Sequence, residues 1–211
     1  MLNYLKKIFY KKEASQISTE DRVEELFNNT FSIDTVRFEI GNDITEFGAD
    51  ISKEISSFRE CIAENTGFIF PLVHVINNSS FQENQITIFI QGKEIKEEFL
   101  IPNKEKVIKG IHIFLEEIYK NYLDEIFTSE FLEKIILKVQ EKNAWLIWNV
   151  TCFFTTTQLI NIFVRILEKN KSIKNAEYIF QKMDEIFMKK YSDCCVRLST
   201  KDLADEIIKQ I

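Results

Sequence analysis

The chain has 211 residues, with 27 lysines and arginines against 33 aspartates and glutamates, a formal net charge of −6. At 45% hydrophobic and 28% charged residues, with only 5 glycines and 2 prolines, it can bury a real core and has little material for disordered tracts. The acidic balance, without a basic stripe, removes the counterion-release drive of nucleic-acid binding, and no apolar run of about 18 residues predicts a membrane span.

The opening residues 1–12 (MLNYLKKIFYKK) are basic and apolar but lack the continuous apolar core and small-residue cleavage site of a secretory signal, so the stretch is expected to be retained. Residues 1–30 read as an arm or linker, in which Ser18 or Thr19 could cap a short helix running to Phe27. Leu2, Leu5 and Phe9 lie among Lys6, Lys7, Lys11 and Lys12. That pattern fits peripheral contact with an anionic membrane surface, docking into a neighbouring subunit, or a fraying end.

Residues 34–40 (DTVRFEI) alternate apolar and polar and end in Gly41-Asn42-Asp43, which predicts a strand and a turn. From residue 50 to 66, Ile51, Ile55, Phe58 and Ile62 recur at three and four, and Gly67 supplies a helix-closing left-handed position. Residues 68–75 are dense in Phe, Ile and Val around Pro71 and read as a strand. Residues 85–91 and 94–101 flank Gly92-Lys93 as a hairpin. A sheet this small needs its apolar face covered, and the preceding helix is the element to cover it.

Beyond Pro102 no strand-like alternation of any length occurs. Helices are expected over 107–127, 130–142, from Thr155 to Asn170 with a Thr155–Gln158 capping box, over 173–189 capped by Ser172, and over 201–211 capped by Ser199 or Thr200. The predicted fold class is therefore α+β: a small mixed sheet with a covering helix, followed by an all-α helical array. The predicted organisation is an arm over 1–30, an α/β subdomain over 31–105 and a helical subdomain over 106–211.

Candidate chemistry is sparse. The two histidines, His74 and His112, form no ligand-spaced pair, and no phosphate-cradling or nucleophile-elbow motif exists, so neither metal nor cofactor is expected and the chain reads as a non-enzyme. Glu97-Glu98, Glu116-Glu117 and Asp184-Glu185 are adjacent pairs whose members point to different faces, which fits solvated charge better than acid/base work. The four cysteines, with no CxxC spacing, suit a reducing cytoplasm. Cys194-Cys195 fits either a redox sensor or thiols packed in a turn. Trp145 and Trp148 fit either a partner-binding hot spot or core packed between two helices.

Several local sequences resemble one known family in order along the chain. Residues 34–41 (DTVRFEIG), 55–61 with Arg59, 63–78 (AENTGFIFPLVHVINN) and the 85–98 hairpin resemble the cytosolic domain of the type III secretion and flagellar export gate, the FlhA/InvA/LcrD-like FHIPEP family. The resemblance continues through 107–112, 127–139, 155–176 and 199–208. It covers residues 33–211, but the family's membrane helices, inserted subdomain and terminal subdomain find no counterpart in it. The resemblance implies a module of bacterial protein export that docks secretion-apparatus proteins or export chaperones, or further copies of itself. It would do so in the cytoplasm or at the cytoplasmic face of the inner membrane. It also places Ile111 and His112 at the family's "tHL" position, which is associated with the docking groove. A soluble adaptor or regulatory paralogue that has left secretion is the alternative. The expected partner-binding residues are thus Leu5, Phe9, Ile111, His112, Trp145 and Trp148.

Overall fold

A computed structural model describes residues 34–192 and 199–210, with the side chains of 190–192 left aside. The arm with Leu5 and Phe9, its expected short helix, and Cys194-Cys195 lie outside the described residues.

Strand β1 (Val36–Ile40) carries its alternation into three dimensions: Val36, Phe38 and Ile40 are buried, while Arg37 and Glu39 face the other side. Gly41 follows where only glycine fits, because a Cβ there would lie 2.1 Å from the Gln82 carbonyl oxygen. After a single turn, α1 (Asn42–Thr45), comes α2 (Gly48–Thr66), which buries Ile51, Ile55 and Phe58. Gly67 closes α2 at φ +82°, as its spacing predicts.

Residues 68–72 depart from expectation. They are not strand, although Phe68 and Phe70 are fully buried; pairing begins only at β2 (Val73–Asn77). Pro71 has no amide hydrogen to give a ladder. The Phe70 carbonyl is instead taken by Arg59, whose Nε donates to it at 2.9 Å. β3 (Gln85–Ile90) and β4 (Lys93–Phe99) form the hairpin. Its turn sits one residue earlier than expected, on Gln91 (φ 49°) and Gly92 (φ 77°). Both are left-handed, as a two-residue turn matched to strand twist requires.

The sheet order is β2-β1-β3-β4, with β1 parallel to β2 and antiparallel to β3. Register sets Val36, Phe38 and Ile40 opposite Ile90, Ile88 and Ile86, so six buried side chains share one face. A second helix, α3 (Lys104–Asn121), joins α2 in covering the sheet. It starts at Lys104 because Asn103 caps it, Oδ1 accepting from the Lys106 amide at 3.3 Å. Lys96 on β4 ties the helix down, donating from Nζ to Glu117 at 2.7 Å and lying over the Phe114 ring. The Glu117 hydrogen bond raises the Lys96 pKa above the ordinary lysine value, against the opposing effect of burial.

The single helix expected over 107–127 is two. Tyr122, at φ −129° and ψ 26°, breaks it, and α4 (Leu123–Ile126) follows. Next come α5 (Ser129–Gln140), capped by Thr128, and α6 (Ala144–Phe153), capped by Asn143. α7 (Thr156–Glu168) carries the predicted Thr155–Gln158 capping box with both bonds made. α8 (Ala176–Ser192) begins three residues later than expected. Its first turn is capped by Asn175, whose Oδ1 accepts from the Tyr178 amide at 3.3 Å. Ser172 is committed elsewhere, donating from Oγ to the Thr66 carbonyl at 3.1 Å. α9 (Thr200–Ile208) is capped by Ser199 and held to α7 by Arg165 and Asp205, 3.2 Å apart.

The core is one continuous cluster. A file of phenylalanines, Phe68, Phe127, Phe163 and Phe180, runs through it with successive ring centroids 5.6, 6.1 and 5.4 Å apart. All four rings are fully or almost fully buried, which is where aromatic area stabilises most.

Candidate docking surface

The site begins with a helix that has no charged residue. α6 (AWLIWNVTCF) opens at Asn143, whose side chain accepts from the Leu146 amide at 3.2 Å. It ends where Phe154 turns extended and Thr155 caps the next helix. Leu146, Ile147 and Val150 face the core and are buried. Trp145 and Trp148, three apart and hence on one face, point outward at 68% and 57% exposure. Their rings stack with centroids 4.8 Å apart and planes 25° apart. Cys152, one turn further along that face, is exposed and free. Core packing is therefore not what the two tryptophans do.

Other apolar side chains are exposed on α6 and on the helices it touches. Phe153 at the end of α6 is 46% exposed and stacks on Phe187 of α8 at 4.3 Å. Met188 on α8 and Leu137 on α5 are also more than half exposed. α6 touches both of those helices. Leu137 and Met188 escape sequence reasoning because their own helices are amphipathic and a lone apolar residue gives no signal of facing out.

The Ile111 and His112 pair divides. Ile111 is fully buried in α3 and cannot meet a partner, which corrects the expectation that both residues form a surface. Neighbours on a helix point about 100° apart, so one faces the core and the other does not. His112 is half-exposed, with Nδ1 2.7 Å from Glu54 on α2 and Nε2 3.6 Å from Glu116, and its ring meets Phe58 edge-on. It borders a shallow depression of about 540 Å³ that Lys104, Glu105, Ile108 and Lys109 also line. The arrangement is a clamp between α2 and α3. His74 is likewise engaged, with Nδ1 2.6 Å from Asp34. Among the described residues no three His, Cys, Asp or Glu converge as a metal site, and no single helix is long and apolar enough to cross a membrane.

Comparison with known proteins shows what the sequence and the fold are similar to. The chain is 32% identical over 100 residues to the flagellar biosynthesis protein FlhA of Buchnera aphidicola subsp. Schizaphis graminum, a match covering 44% of this chain and 14% of that protein. The fold resembles the Chlamydia pneumoniae CdsV protein at a TM-score of 0.66 and 14% identity, over 82% of this chain and 65% of that one. It resembles the Shigella flexneri MxiA protein at 0.62 and 11%, over 83% and 62%. The nonameric EscV cytosolic domain of the type III secretion system matches at 0.63 and 14%, over 83% and 63%. The chain thus spans a small part of the curated relative and under two thirds of these solved domains. The FHIPEP family model matches residues 5–112, half of the sequence, and the chain belongs to the FHIPEP family.

Proposed function

We propose that this chain is a non-catalytic docking module of protein export, binding other proteins of the export apparatus through the outward face of α6. Family membership supports the role in export. The observation that carries the docking surface is the stacked, exposed Trp145–Trp148 pair on a helix without charge. Tryptophan is enriched among residues that dominate binding energy, because it brings large rigid area at low entropic cost. Phe153 and Met188, exposed on α6 and on its neighbour α8, add apolar area of the kind a second protein covers. The expected partners are secretion-apparatus proteins, export chaperones or further copies of the chain, and Leu5 and Phe9 of the arm are proposed to contribute to self-association. EscV, solved as a nonamer, and CdsV, solved in complex with CdsO, share this fold, which supports the reading.

The test is a cross-linked pull-down from native cell extract with the tagged chain and with its Trp145→Ala/Trp148→Ala variant, read by mass spectrometry. Export components should be recovered with the first and lost with the second. Equal recovery with both would remove the α6 face as the surface. Reproducible recovery of unrelated proteins alone would replace export with the adaptor role.

A further inference from the structure

The two edges of the sheet are chemically unlike, and among the described residues each has a neighbour on one side only. β4 is built to refuse another strand. Lys93, Glu94, Lys96, Glu97 and Glu98 make up most of its seven residues, and an extra residue, Ile95, breaks its register with β3. Charge and irregularity of this kind are how proteins blunt an open edge. β2 (VHVIN) has none of these defences. It holds no Lys, Arg, Asp, Glu or Pro, three of its five residues are β-branched, and its register with β1 is unbroken over all five pairs.

We propose that the outer edge of β2 binds an extended, uncharged, aliphatic segment of a partner protein by strand addition. The rows across the sheet define what that segment must carry. On the covered face, two rows end at Val73 beside Val36 and at Val75 beside Phe38, where the added strand meets aliphatic side chains, and the last row ends at Asn77 beside Ile40. On the opposite face, one row ends at Ile76, which is 45% exposed, and the other at His74, whose Nδ1 is already occupied by Asp34 at 2.6 Å. β2 itself holds no Lys, Arg, Asp or Glu to recruit an acidic or basic side chain, and on three of its five rows a charged residue would lie beside valine or isoleucine. Leu72, 64% exposed just before β2, extends the apolar strip. Main-chain hydrogen bonds would supply affinity and the alternating valine and isoleucine contacts selectivity. This surface is separate from the α6 face and does not depend on it.

The test titrates a fluorescein-labelled peptide of alternating valine and threonine into the full chain, read by anisotropy. It is repeated with the same peptide methylated at every backbone amide, and with the Ile76→Lys and Phe99→Lys variants, their folding checked by circular dichroism. The unmodified peptide should bind saturably and the methylated one not at all. Ile76→Lys should weaken binding about tenfold, while Phe99→Lys on β4 leaves it unchanged. No saturable binding to the folded chain overturns the proposal, as does indifference to methylation or to Ile76→Lys. So does exclusion of the peptide by a dimer that Ile76→Lys dissolves, since the occupant would then be a second copy.

Discussion

Helices α3 and α6 dispose of similar apolar residues in opposite ways. α3 buries Val107, Ile111, Phe114, Leu115 and Ile118 and turns its charged side outward, where Glu117 reaches Lys96 and His112 reaches Glu54. α6 buries only Leu146, Ile147 and Val150 and turns two tryptophans outward. A helix hydrophobic all round is normally enclosed on all sides. α6 is not enclosed, because its described neighbours α5 and α8 leave the Trp145–Trp148 face open. Lack of charge on a helix therefore does not report enclosure, since two of the largest apolar side chains of α6 stay in contact with solvent.

Substitutions can break or sharpen this contrast. The largest expected effect is Leu115→Ala, fully buried in α3, which should cost about 2–5 kcal/mol in urea unfolding. Trp148→Ala should cost about 1 kcal/mol or less, since most of its ring already faces water. Similar losses for the two would mean that the α6 face is packed after all. Thr155→Ala removes the hydroxyl that accepts from the Gln158 amide at the bend between α6 and α7, and about 1 kcal/mol should go with it.

The smallest effect concerns the tie between α3 and the sheet. Because the Lys96 pKa is raised in the folded state, its contribution is complete below the unfolded lysine value, about 10.4, and is lost as pH rises through the folded one. Thermal unfolding followed from neutral to alkaline pH should show a steeper high-pH decline in the parent chain than in Lys96→Met. Parallel curves would show that the Lys96–Glu117 contact does not hold the helix.

Local chemistry was readable wherever one residue dictates one conformation. Gly67 announces the end of α2, and Thr155 with Gln158 announces the start of α7, because each acts within four residues of itself. Reading failed where the decisive partner is distant. Ser172 has the composition of a cap, but its hydroxyl donates to Thr66, 106 positions away, and accepts from the Lys174 amide within the loop, so Asn175 takes the capping role. Pro71 hides in an apolar run, so the strand starts later than hydrophobicity suggests. The candidate surface was legible in kind and illegible in orientation. Trp145 and Trp148 stand out by type, but α6 has no charged residue to mark its wet side. Family likeness pointed to Ile111 and His112 as a position, and a position does not say which of two adjacent side chains is buried.

The loop between α7 and α8 also closes a helix that it does not follow. The Thr66 carbonyl accepts from the Ile173 amide at 2.7 Å and from Ser172, while Lys174 donates to the Glu64 carbonyl, beside a Gly67 that has no room for a Cβ against Lys174. The last turn of α2 thus receives donors that a chain emerging from the ribosome does not possess until more than 100 further residues have been made. Closing so long a loop delays this contact and makes it a late step of folding. Once made, it ties the covering helix of the sheet to the helical array, and slowed amide exchange in the final turn of α2 would time its arrival.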